Sequence, residues 1–217
     1  ALMINRLQQH LSDIYQVRGV HDVRDFLITD PRLAQYIGAD SMLADSSETL
    51  LLAEDDEGLA LSLFLDGELL ARLESADPLS RLRPDQLDDL WKVLEGLSHF
   101  NCVVWKASRD RSVSLLELEL QAEIDKFVGT TLLAQSQGRT DMLNHIHGWL
   151  FDRVSFHAEL DDEQLARYRA ANEYAARFCH ALRGRLVEDE GTVLSELRRF
   201  FRLPMTDKIS HIHSQTL

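Results

Sequence analysis

Between residues 165 and 182 the side chains Leu165, Tyr168, Asn172, Ala175, Cys179 and Leu182 follow one another at alternating intervals of three and four. That spacing is the seam of a helix packed closely along a partner. A second apolar stripe, Tyr174, Phe178 and Ala181, runs beside it, and Ala170, Ala171, Ala175 and Ala176 allow another backbone to approach. A helix apolar on two sides belongs in the middle of a bundle or at a subunit interface. Whatever fold this chain adopts must supply a rod to lie against that seam.

The pattern stays helical over most of the region after Gly138: 141–151, 161–183, 192–201 and a short helix after Pro204. Before it the signals are mixed. Leu7, Leu11 and Ile14 predict an amphipathic helix over 2–17, stopped by Gly19, and Asp30-Pro31 starts a further turn that Gly38 ends. Two apolar runs, 49–53 and 59–65, flank the acidic turn 54–58 and predict a hairpin; Phe64 on the face opposite Leu63 and Leu65 predicts cover on both sides. Asp66 can cap a short helix over 68–73, and Pro84 can open one running to about Leu97 with Leu87, Leu90, Trp91 and Leu94 inward. Phe100, Val103, Val104 and Trp105 predict a third strand over 99–106. Over 112–135 the stripe Val113, Leu116, Leu120, Ile124, Phe127 predicts a long helix, started by the capping box Ser114-x-x-Glu117.

The expected fold is therefore α+β and predominantly helical: a small, mainly antiparallel sheet covered by helices, followed by a C-terminal helical bundle. The composition shift near residue 138 divides an α+β part, 1–137, from an all-helical part, 138–217, unless the long helix before it joins them into one continuous domain. Met3 reads as a natural start, with residues 1–2 as an addition ahead of it.

Charge and cysteine usage narrow the partners. With 36 Asp and Glu against 23 Lys and Arg, the formal charge of -13 disfavours non-specific nucleic-acid binding and anionic membranes. Cys102 and Cys179 belong to no CxxC pair and read as reduced, buried thiols; with no apolar run of about 20 residues and no signal-peptide core, the expected location is cytoplasmic.

Nine histidines include the triplets His145-Ile146-His147 and His211-Ile212-His213. On a helix, residues two apart point about 200° from one another, so each pair flanks an apolar stripe, which suits helix edges better than a shared metal. The candidate ligands that remain are His145 and His147 joined by His157 and a carboxylate. Glu117, Glu119, Glu123 and Asp125 read as solvated charge and capping, since the Glu-x-x-His pair of di-iron bundles is absent. HExxH, G-x-S-x-G, Walker A and G-x-G-x-x-G sequences are absent as well. Arg198, Arg199 and Arg202, together with Arg183 and Arg185, form a basic patch suited to an anion or an acidic partner, or to pairing with the 188–190 acidic run. The reading that follows is a binding or regulatory protein acting through helix surfaces, a homodimer along the 165–182 seam or a binder of another protein, without a cofactor. The alternative is a metal-dependent hydrolase, with a divalent ion held by dispersed His and carboxylate residues.

Overall fold

The structure, a computed structural model, describes residues 2–17, 21–38, 46–55, 58–152, 154–156 and 160–215. Ten helices and a three-stranded sheet account for most of them: α1 (Leu2–Tyr15), β1 (Leu27–Ile28), α2 (Pro31–Ile37), β2 (Glu48–Asp55), β3 (Gly58–Leu65), α3 (Gly67–Ser75), α4 (Leu87–Ala107), α5 (Leu115–Ser136), α6 (Thr140–Leu143), α7 (Ile146–Phe151), α8 (Asp162–Glu188), α9 (Glu190–Arg202) and α10 (Met205–Ser214). The fold is predominantly helical α+β, as the periodicity predicts.

The sheet has the order β1-β3-β2, with β2 antiparallel to β3 and β1 parallel to it. Leu63, Phe64 and Leu65 of β3 are all fully buried, so both faces of the central strand are covered. Leu63 and Leu65 join the main core, while Phe64 packs with Ala34 of α2, Leu51 and Ile28 in a separate small cluster. The third strand is not where the aromatic and β-branched run 99–106 predicts it. That run continues α4, and β1 supplies the strand instead. Phe100 and Val103 extend the buried stripe of Leu90, Val93, Leu94 and Leu97 by further helical turns, so packing overrides the local preference for a strand.

Local signals fix several boundaries. Asp66 accepts hydrogen bonds from the backbone N–H groups of Glu68 and Leu69 and starts α3, and Asp30 caps α2 with Pro31 in its first turn. Ser114 caps α5 by accepting from the N–H of Glu117, but the reciprocal half of the expected capping box is not made, because the Glu117 side chain turns to two lysines. α1 ends at Tyr15, where Gln16 takes a left-handed backbone (φ 51°).

α5 is the axis of the molecule. It packs against α4 and α8, with α1, α6 and α7 also touching it, and its buried residues face every direction. One continuous core runs from Met3 to Ile212, and α8 against α5 and α9 against α1 carry packing across residue 138. No helix among the described residues is long and apolar enough to cross a membrane. Leu182, with no exposed surface, sits in this core, and Leu182→Ala is expected to cost about 2–5 kcal/mol, read as a lower urea midpoint at unchanged slope. A loss well below that range would mean that the α8 seam is not packed as described.

Candidate metal centre and adjoining cleft

α4 and α5 place pairs of ionisable side chains opposite one another. Glu95 and His99 lie four apart on α4, and Glu119 and Glu123 four apart on α5, with Lys126 one turn further on; residues at that spacing share a helix face. Glu48, the first residue of β2, comes in beside Gly96, where a Cβ would stand 2.9 Å from its Cγ. Only a residue without a side chain lets the strand's carboxylate so close to the helix.

Lys126 Nζ donates to Glu123 Oε1 at 2.6 Å and to Glu95 Oε2 at 2.9 Å. The His99 ring lies between two further carboxylates, its Nδ1 3.7 Å from Glu48 Oε1 and its Nε2 3.7 Å from Glu119 Oε2. Those separations are ion-pair contacts longer than hydrogen bonds, and both His99 Nε2 and Glu48 Oε1 are buried with no hydrogen-bond partner. The His99 side chain is only 10% exposed. Four carboxylates thus meet one lysine and one imidazole away from bulk water.

Burial and mutual repulsion perturb these groups as that count demands. Burial lifts Glu119 to about 7, with Glu95 and Glu48 adding to the rise, and burial likewise raises Glu48 and Glu123. Burial works against charge on His99, yet Glu48 and Glu119 outweigh it and carry the imidazole up to about 9. Burial also opposes charge on Lys126, but Glu123 and Glu95 hold it well above the ordinary lysine range. Tyr168 of α8 feels the same field: burial and the carboxylates of Glu119, Glu95 and Glu48 push its hydroxyl upward.

Among the described residues, Glu95, His99 and Glu119 are the group whose potential ligand atoms all lie within 4.8 Å of one another. Two carboxylates and an imidazole are a ligand set for a divalent ion. Beside them opens a cleft of about 370 Å³, walled by Glu48, Glu95, Glu123 and Lys126 and bordered by Trp91, Trp149 and Tyr168.

Two other polar clusters lie along α5. Asp125 accepts from Ser98 Oγ at 2.6 Å, from Gln121 Nε2 at 2.8 Å and from the Tyr15 hydroxyl; burial lifts its carboxyl to about 6 against those bonds. Glu117 Oε1 accepts from both Lys106 Nζ and Lys208 Nζ at 2.8 Å. Glu117, Glu119 and Asp125 are thus buried, which corrects the expectation of solvated charge. An α5 enclosed on all sides has no solvated face to give them.

The residues singled out by sequence fall elsewhere. His145 caps the start of α7 and stacks on Trp149, with ring centroids 5.2 Å apart. His147 Nε2 donates to the Ala176 carbonyl at 2.9 Å, and His157 lies outside the described residues. In the second triplet His211 bonds Glu196 and His213 accepts from Arg177, on either side of a buried Ile212. Arg198 donates to the Ile14 carbonyl and Arg202 to that of Tyr15, which closes the C-terminal end of α1, while Arg199 is exposed. Arg185 pairs with Glu196 at 2.7 Å and not with the 188–190 run. In the α8 seam Ala175, Cys179 and Leu182 are buried within the chain, whereas Leu165, Tyr168 and Asn172 are half-buried. The centre on α4 and α5 was missed by sequence reasoning. Its available signal was the Glu-x-x-x-His at 95–99 and the Glu-x-x-x-Glu at 119–123, one residue longer than the spacing of di-iron bundles.

Comparison of the chain with protein-family models, with curated proteins and with solved structures finds no match.

The Asp125 cluster makes a pH-dependent prediction. Its folded value of about 6 lies above the ordinary carboxylate value of 3.8, so the folded state holds the proton more tightly, and the associated stability is lost as pH rises from about 4 to about 6. Asp125→Asn should flatten that part of the stability profile, since the Ser98 hydroxyl can turn to accept from the new amide. Urea midpoints collected between those two pH values test this, and an unchanged slope in the variant would refute it.

Proposed function

We propose that the protein binds a divalent metal ion between α4 and α5 through Glu95, His99 and Glu119, and that this ion acts on a small molecule in the adjoining cleft, as in a metal-dependent hydrolase. The observation that carries the reading is His99: a nine-tenths buried imidazole whose Nε2 makes no hydrogen bond and stands 3.7 Å from Glu119, set among carboxylates in excess of cations. Burying uncompensated carboxylates is costly, and an ion with two charges, bound as His99 gives up its proton, offsets more of that cost than Lys126 and the imidazolium do. Glu95, His99 and Glu119 would hold the ion and leave positions open on it, and it would supply a water acidified toward neutral pH. Lys126 bridges Glu95 of α4 and Glu123 of α5 and fixes their orientation. Cytoplasmic location belongs to the same reading, since Cys102 and Cys179 are both buried and unpaired.

A second reading, a protein that binds a partner or its own copy through helix surfaces, is supported by α2, where Tyr36 is 85% exposed beside Leu33 and Ile37. A monomer by light scattering at micromolar concentration would remove the homodimer.

Elemental analysis after equilibration with Zn²⁺ or Mn²⁺ and desalting tests the metal reading. One ion per chain is expected, lost in His99→Ala and Glu119→Gln with helical circular dichroism unchanged, and retained in His147→Ala. No bound ion in the parent protein, or an ion kept by both centre variants, would overturn it.

A further inference from the structure

We propose that the cleft beside α4 and α5 binds a small organic cation, an amine with a compact apolar or aromatic body. Three features of its wall point to this class, and none of them requires the metal reading.

The first is charge. Glu48, Asp88, Glu95 and Glu123 line the cleft against Lys92 and Lys126, so its acidic side chains outnumber its basic ones by two. Neither lysine is open to an anionic ligand: Lys126 Nζ is held by Glu95 and Glu123, and Lys92 Nζ by Asp88 at 2.9 Å. A carboxylate or phosphate entering here would meet four acidic groups and cations already engaged. An ammonium, which stays charged near neutrality, meets the opposite situation.

The second is an acceptor in want of a donor. Glu48 lines the cleft, and its buried Oε1 makes no hydrogen bond, its contact with His99 Nδ1 being a longer ion pair of 3.7 Å. Buried acceptors are rarely left unbonded in folded proteins, and an ammonium N–H is a donor that carries positive charge as well. A neutral ligand supplies only the first.

The third is the border. Trp91, Trp149 and Tyr168 present aromatic surface to the same cavity, and aromatic faces attract cations while also covering an apolar body. Two of these rings are held in place before any ligand arrives: Trp91 Nε1 donates to Thr130 Oγ1 at 3.1 Å, and Trp149 stacks on His145. A volume of about 370 Å³ lies in the range of small-molecule sites.

Isothermal titration of the full chain at low salt, with benzylamine, benzyl alcohol and phenylacetate as matched probes, tests the proposal. Benzylamine is expected to bind with a sub-millimolar Kd and the other two at least about tenfold more weakly, the size of one aromatic–cation contact. Trp149→Leu and Glu48→Gln should each weaken benzylamine by a similar factor, with circular dichroism confirming the fold. Phenylacetate or benzyl alcohol binding as tightly as benzylamine, no benzylamine binding to the folded protein, or affinity untouched in both variants would overturn the proposal. Elemental analysis on the same samples keeps the two readings apart, because metal content reports on Glu95, His99 and Glu119 and the probe series reports on the cleft wall.

Discussion

The interface between α4 and α5 is the constraint on which the rest of the structure depends. α5 is enclosed by α4, α8 and α1, yet it carries Glu117, Glu119, Glu123, Asp125 and Lys126. A charged residue in such a helix must find its partner within the protein or raise the cost of folding. Each does so on a different neighbour: Glu117 on Lys106 and Lys208, Asp125 on Ser98 and Tyr15, and Glu123 on Lys126. Those partners come from α1, α4, α5 itself and α10, so the polar interior ties together elements far apart in sequence.

Glu119 and His99 depart from that pattern. Their contacts with one another are too long for hydrogen bonds, and the carboxylates around them outnumber the cations. In an interior where other charges are closely bonded, loose geometry and excess charge in one place are what a site for an exogenous cation looks like. The adjoining cleft has Glu95 in its wall, so the metal centre and the small-molecule cleft meet at that carboxylate.

Much of the fold was legible in the sequence. The hairpin of β2 and β3, the long α5 and the helical run after residue 138 all follow from apolar spacing and from capping residues such as Asp66 and Ser114, although the one helix expected over 141–151 is divided into α6 and α7. The error at 99–106 has a physical cause: Val103, Val104 and Trp105 favour a strand locally, and only the tertiary stripe shared with Leu90 and Leu97 shows them to be helical. The site was hidden for a related reason. Alternation of Leu with Glu over 116–120 reads as a helix edge in water, and nothing local reveals that a third helix, α8, covers the other side of α5. Glu48 could not be placed at all by spacing, since its approach depends on Gly96, far along the chain on α4.

Lys208 has a consequence for how the chain comes together. Fully buried on α10, it neutralises Glu117, which stands at the start of α5. Until α10 packs, Lys106 is the one counter-charge that Glu117 has from this cluster. The centre of the bundle becomes electrically complete only when α10 docks, so Glu117 draws its second counter-charge from a helix 91 residues further along the chain.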